Sequence, residues 1–353
     1  MKNTHPISTT RFPLRPSIAR RKRAFTLTEL MVVVGIIALL AAILLTALAK
    51  VVITSKKSQT ESRMQQFANA CIAFETDLGY YPGVIPDDIL AASAPGGAPT
   101  LSGTENAYLN LVGGYRLFKP TDGPADTTNP IYADYWNFYN AALSTNSLID
   151  IRILTGSGDW LLAVDSRKLG EGPRINGKNY PAFYNPGKND MQIVEGQVDT
   201  SPPPHHAPLP DLVDAWGQPI IYLHQLRDRG NLVDVYTNNP QFITAGMLPF
   251  TTNTTSNPSA PAVGLGELAI KQDKSIFNTG PVYGNLSKII SNPAFPNKSR
   301  GQIVLISAGN DGVYFANDDG PGSPATGQQV NDITALDSRV VSDYDDVVFI
   351  TGG

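Results

Sequence analysis

Glu29 is a carboxylate inside an apolar run, AFTLTELMVVVGIIALLAAILLTALA, that starts at Ala24 and holds no other charge. A lone acid in a membrane helix costs a few kcal/mol, so it calls for a named partner or for escape to the headgroups. A second concentration of carboxylates lies at the far end. From Asn310 onward there are eight aspartates against one positive residue, Arg339. Among them Asp311 sits in the turn-forming stretch SAGNDG, the pair Asp318-Asp319 follows it, and the pair Asp345-Asp346 precedes the last apolar run. Calcium takes six to eight hard oxygens, which carboxylates and carbonyls on a loop can supply. Adjacent aspartates on a regular strand point to opposite faces, so Asp318 and Asp319 can share an ion only from a loop. EF-hand spacing is absent, and the competing reading is a solvated acidic loop.

Other chemistry is poorly served. The chain has four histidines, of which His205 and His206 lie in the Pro-rich SPPPHHAPLP. Neither HExxH nor G-x-S-x-G occurs. The stretch Gly264-Leu265-Gly266-Glu267-Leu268-Ala269 fits G-x-G-x-x-A, but it follows a Pro/Ser/Thr-rich segment instead of a strand. The single cysteine, Cys71, excludes an intramolecular disulfide and reads as a buried thiol. No enzyme activity is expected.

The elements that must position these residues begin with seven positive residues and no acid among the first 24. The apolar run that follows, about 25 residues at ~1.5 Å each, exceeds the ~30 Å hydrocarbon core. It is longer than a cleavable signal core. Positive charge before the span places residues 1–24 in the cytoplasm and the body beyond the membrane. Without the leader, 20 positive residues face 31 negative ones, about −11, which disfavours nucleic-acid binding. With 42% hydrophobic residues the body can build a real core.

Past the span, Met64, Phe67, Cys71, Phe74 and Leu78 recur at helical period and need a body to bury them. Lys56, Lys57, Glu61, Arg63 and Gln65 fall mostly on other faces. The helix must stop at GYYPG. Beyond it the pattern predicts short helices near 87–92, 105–112 and 136–148. Strands are predicted at 151–154, 160–164, 220–224, 232–236, 303–307 and 347–350, with loops at 94–103, 168–187, 202–210 and 251–266. The fold class is α+β, one long helix followed by a mostly antiparallel sheet.

The order of basic leader, small residue, Phe25-Thr26-Leu27-Thr28-Glu29-Leu30 and apolar helix closely resembles the N-terminus of type IV prepilins and type II secretion pseudopilins. Ala24 stands where glycine is usual, and Thr28 where an aliphatic is usual. The resemblance implies cleavage between Ala24 and Phe25 by an inner-membrane prepilin peptidase and methylation of the new amine. It implies that Glu29 neutralises the N-terminal ammonium of a neighbouring subunit, since two charges in a low-dielectric site are tolerable only as a pair. ETDLGYYPG and the D-x-W-G-x-P-x-x-Y pattern of Asp214 to Tyr222 resemble the major-pseudopilin branch. There the second motif turns into the first strand of a small sheet, and a loop like Ser307 to Gly312 with a following acidic pair holds calcium. Asp318-Asp319 and Asp345-Asp346 both qualify as that pair.

The organisation expected is a leader at 1–24, a transmembrane assembly helix at 25–50, its amphipathic continuation at 51–82 and a pilin-like periplasmic domain with insertions at 83–353. The expected partners are the peptidase, other pseudopilin subunits, the secretion platform and the inner membrane, crossed once. A type IV pilus subunit and a membrane-anchored periplasmic binding protein or enzyme are the alternatives. In shorter members of the family that the chain resembles, the D-x-W-G-x-P-x-x-Y motif lies nearer the long helix, so residues 84–210 are expected to include a substantial insertion.

Overall fold

The computed structural model describes residues 26–92, 101–153, 155, 158–192, 209–224, 291–292, 295–299, 301–312, 314 and 345–351. By internal contacts the chain divides into two units, Met1–Val52 and Ile53–Gly353. Helix α1 (Leu27–Leu78) contributes to both. It can run for 52 residues because the segment holds one glycine, Gly35, and no proline. It ends where Gly79 takes φ +79° and its N–H donates to the Glu75 carbonyl, a left-handed cap that a β-carbon would penalise. Before residue 53 its large apolar side chains are exposed.

In chain order there follow α2 (Asp87–Ala92), α3 (Gly103–Val112), β1 (Tyr115–Phe118), α4 (Pro130–Ser144), β2 (Leu148–Ile153), β3 (Trp160–Asp165) and the hairpin β4 (Arg174–Ile175) with β5 (Lys178–Asn179). Then come β6 (Met191–Gln192), β7 (Asp211–Leu212), β8 (Ile221–His224), β9 (Ser291–Asn292), β10 (Phe295–Ser299), β11 (Ile303–Ser307) and β12 (Val347–Thr351). The fold is an α+β mix of a long N-terminal helix with small antiparallel sheets, as in pilin-like folds.

The predicted stripe is the core face of the second unit. Met64, Phe67, Cys71 and Phe74 have no exposed surface, and Leu78 is partly buried. They pack with Tyr108 and Leu111 of α3 and with the antiparallel sheet β12-β11-β8, through Tyr222, Ile303, Leu305 and Val347. Phe67 meets Tyr184 and Tyr222 edge-on, ring centres 5.4 and 5.6 Å away. β11 is central and wholly buried, which is why its residues read as a continuous apolar run without alternation.

A second sheet, ordered β1-β3-β2, fills the stretch that the sequence left as an insertion. Ile151, Ile153, Leu162 and Val164 pack with Leu90, Leu101 and Leu109, while Ala163 faces Phe118, Tyr135 and Phe138. Helical residues thus cover both of its faces. Two sequence expectations are corrected here. β1 was not foreseen, and α4 starts six residues earlier than expected, because the Asn129 side chain accepts from the N–H groups of Ile131 and Tyr132 with Pro130 in the first turn. It ends before Asn146, at φ +54°, so Leu148 opens a strand instead of closing the helix. The strand expected at 232–236 and the loop at 251–266 lie outside the described residues.

α3 opens with a capping box. Ser102 Oγ accepts from the Glu105 N–H (3.0 Å), the Ser102 N–H donates to Glu105 Oε2 (2.7 Å), and Ser102 Oγ donates to Asp211 Oδ1 (2.7 Å). Glu105 and Asp211 are both fully buried. Burial first, and the Asp211 charge second, push the Glu105 carboxyl well above the usual glutamate range. The folded chain therefore keeps a proton that the unfolded chain loses around the ordinary value of 4.5, and stability falls as pH rises from there toward the raised folded value. Glu105→Gln keeps an acceptor for Ser102 and offers an amide N–H to Asp211. Its Tm is expected to lose the decline above that pH and to exceed the parent's at neutral pH; a melting profile with an unchanged pH slope would refute this.

Candidate functional site

Phe25 and Ala24, the expected cleavage pair, lie outside the described residues, and Glu29 lies in the first turn of α1. Glu29 has a partner that the sequence reading missed. Its Oε2 accepts from both the N–H (2.9 Å) and the hydroxyl (2.8 Å) of Thr26, and the Glu29 N–H points back to Thr26 Oγ1 at 3.3 Å. Thr26-x-x-Glu29 is a capping box, and that spacing was the signal that could have revealed it. The acid is therefore held at the start of the helix by its own chain. The Thr26 amide survives a cut before Phe25, so the cap and a charge partner are compatible. Among the described residues α1 is the one helix long and apolar enough to cross a membrane, and none of its most apolar window is buried.

The second cluster joins α1 to the turn that precedes β8. Thr60 and Arg63 stand one turn apart on α1, both buried. The Ala215 N–H donates to Thr60 Oγ1 (3.0 Å), and Arg63 Nη1 donates to the carbonyls of Val213 (2.9 Å) and Asp214 (2.8 Å). Arg63 Nε lies 2.8 Å from Asp190 Oδ1 in an ion pair whose side chains are 6% and 14% exposed. Lys56, one turn earlier, sets its ammonium 5.8 Å from the centre of the Trp216 ring. Sequence periodicity placed Arg63 off the apolar stripe, which is correct, but that face is not solvent.

The D-x-W-G-x-P segment is a turn that leads into β8, as expected. Asp214 organises it: Oδ1 accepts from Trp216 N–H (2.8 Å) and Gln218 N–H (2.9 Å), and Oδ2 accepts from the Ser307 hydroxyl (2.7 Å). Burial raises the Asp214 carboxyl above its ordinary value against the pull of these donors. Trp216 Nε1 donates to Asn310 Oδ1 (3.1 Å), and the Tyr314 hydroxyl donates to the Pro219 carbonyl. The two motifs, 93 residues apart at their Asp214–Ser307 contact, form one polar hub.

Of the candidate calcium ligands, the structure brings Asp311 and Asp345 together. The N–H groups of Asn310 (2.9 Å) and Asp311 (3.2 Å) donate to Asp345 Oδ2. Asp345 Oδ1 is buried and has no hydrogen-bond partner among the described residues. Gly309, at φ +69°, lets the loop approach: a β-carbon there would lie 2.7 Å from that same oxygen. Asp346 is buried beside Tyr314. Asp318 and Asp319 lie outside the described residues, among which no three His, Cys, Asp or Glu side chains are grouped to hold a metal. His205, His206 and Gly264 to Ala269 also lie outside them. His224 sits 3.2 Å from Asp87 Oδ2 in an ion-pair geometry, its ring tilted against those of Tyr81 and Tyr222. Cys71 is buried, and burial pushes its thiol up, away from reactivity.

Among known families, the model of the prokaryotic N-terminal methylation motif matches residues 19–45. That motif is the processing signal of type IV pilin-like precursors, read by prepilin peptidase at the membrane. No curated protein and no solved structure matches the chain.

Proposed function

We propose that this chain is a structural subunit of a type II secretion pseudopilus. It is cut and methylated at Phe25 by prepilin peptidase, held once through the inner membrane with its body in the periplasm, and assembled with other pseudopilin subunits on the secretion platform. Catalysis is not part of this reading. The observation that carries it is the continuity of the methylation motif with the exposed apolar half of α1, with one acid in the first turn of the helix. An exposed apolar face of this length is costly in water and is stable only in lipid or against like helices. The turn from Asp214 into β8 and its bond to Ser307 support the pseudopilin reading over that of a displayed pilus.

Mass spectrometry of the N-terminal peptide from cells tests the reading; N-methylated Phe25 is expected, and a chain still beginning before Ala24 overturns it. Loss of exoprotein secretion without loss of surface fibres in a deletion strain assigns the pseudopilus, and the converse assigns a type IV pilus.

We also assign a calcium site to the acidic loop, with Asp311, Asp345 and Asp346 or the pair Asp318-Asp319 as its carboxylates. The support is Asp345 Oδ1, a buried oxygen with no donor among the described residues, beside a turn whose amides already hold its twin. Calcium bound there would neutralise part of the loop's negative charge. Calcium at a hundredfold over its Kd is expected to stabilise by about 2.7 kcal/mol. Asp345→Asn is expected to lose that response, and a parent Tm unmoved by millimolar calcium or chelator removes the assignment.

A further inference from the structure

The second sheet has an open edge that nothing in the filament reading uses. In the order β1-β3-β2, β1 pairs on one side alone among the described residues. The Asp165 N–H donates to the Gly114 carbonyl, and the register runs Tyr115↔Val164 through Phe118↔Leu161. Antiparallel alternation then turns the backbone groups of Gly114, Arg116 and Phe118 toward β3 and those of Tyr115 and Leu117 away from it. The outward Tyr115 carbonyl takes a hydrogen bond from Arg116 Nη1 (2.8 Å), whereas Leu117 has no partner on that side among the described residues.

Facing this edge is the β4–β5 hairpin. It is bridged to β1's approach in parallel at Gly113 and Gly172, and beyond that bridge the two segments part. A cleft of about 650 Å³ lies there, lined by Arg116 and Leu117 of β1, Ile131 and Asp134 of α4, and Arg174 and Ile175 of the hairpin. In the hairpin the Tyr180 N–H donates to Pro173, so by the same alternation the Arg174 backbone groups turn away from β5.

The charge of this cleft opposes that of the body. Three cations, Arg116, Lys119 and Arg174, line it against two acids, Asp122 and Asp134. Asp122 is committed to the Lys119 N–H (2.9 Å), and the single carboxylate of Asp134 is shared by Arg116 Nε (3.1 Å) and Arg174 Nη1 (3.2 Å). Two guanidiniums on one carboxylate leave N–H donors in surplus. Their side chains are 26% and 38% exposed, so those donors can be reached.

We propose that the wedge between β1 and the β4–β5 hairpin docks an extended acidic peptide segment of another protein, which adds as a strand along β1 and sets its carboxylates against Arg116 and Arg174. Backbone pairing with Leu117 supplies affinity without sequence preference, and the arginine pair supplies selection for acids. The inference stands apart from the filament reading.

The test is fluorescence anisotropy on the full chain in detergent with a labelled peptide of alternating Glu and Val, about eight residues long, an extended reach of ~27 Å. Binding of this peptide and not of its Lys/Val counterpart is expected. N-methylation of alternate peptide residues and Arg174→Gln on the hairpin rim are each expected to weaken it about tenfold. Equal binding of the N-methylated peptide would show charge attraction alone and overturn strand addition. Equal competition by an oligogalacturonate, a carboxylate polymer with no peptide backbone, or absence of binding also overturns the proposal.

Discussion

Glu29→Ala is expected to leave cleavage and methylation at Phe25 intact while abolishing filament assembly. In the proposed filament, each subunit brings one ammonium, at Phe25, and one carboxylate, at Glu29, into a low-dielectric helix bundle. Removing one partner of such a pair leaves the other charge buried and alone, which costs about 3–5 kcal/mol. At ~1.4 kcal/mol per decade that is roughly two to three and a half orders of magnitude in subunit association. The alanine also removes the capping box with Thr26, worth about 1 kcal/mol. Glu29→Gln separates the two effects, because its amide oxygen can still accept from Thr26 but carries no charge. Filament counts by electron microscopy, alongside the mass of the N-terminal peptide, decide the matter. Normal filaments from both variants would sink the ion-pair idea; filaments from Gln alone would make the cap the operative feature.

Arg63→Ala is expected to be the most destabilising single change in the second unit outside its apolar core. It strands Asp190 in a largely buried position and leaves the carbonyls of Val213 and Asp214 without their donor. Breaking a buried pair of this kind costs about 3–5 kcal/mol, which lowers Tm by roughly 5–8 °C in a unit of this size. Arg63→Lys is expected to recover little, since one ammonium cannot reproduce a planar fork that reaches a carboxylate and two carbonyls at once. Asp190→Asn in the Arg63→Met background should return part of the loss by removing the stranded charge. Thermal melts followed by near-ultraviolet circular dichroism measure this; a Tm within about 2 °C of the parent for Arg63→Ala contradicts the role given to the hub.

These two residues mark where local pattern suffices and where it fails. Glu29 is conspicuous because a single charge breaks an otherwise apolar period, and its capping box lies within three residues. Arg63 is not conspicuous at all. On a helix whose charged residues mostly face water, nothing nearby distinguishes the one that meets carbonyls 150 residues away. Asp214 and Ser307 stand in short motifs that can be recognised, yet their hydrogen bond joins segments 93 residues apart. Likewise, the start of α4 rests on one side chain, Asn129, ahead of its aromatic run, and YRLF of β1 is too short to show a period.

Local pattern alone accounts for the membrane-length helix, the buried stripe from Met64 to Phe74, the glycine stop at Gly79 and the apolar strands of the last sheet. Each of these is written in a periodicity or a turn residue that acts over a few positions, within reach of one helix or one strand. Long-range packing is what makes residues 84–210 include a second sheet with helices on both faces, brings Arg63 and Thr60 to clasp the turn before β8, and sets Asp345 against the amides of Asn310 and Asp311. Those outcomes depend on which distant segments pack together, and buried polar groups must take whatever partner the packing brings.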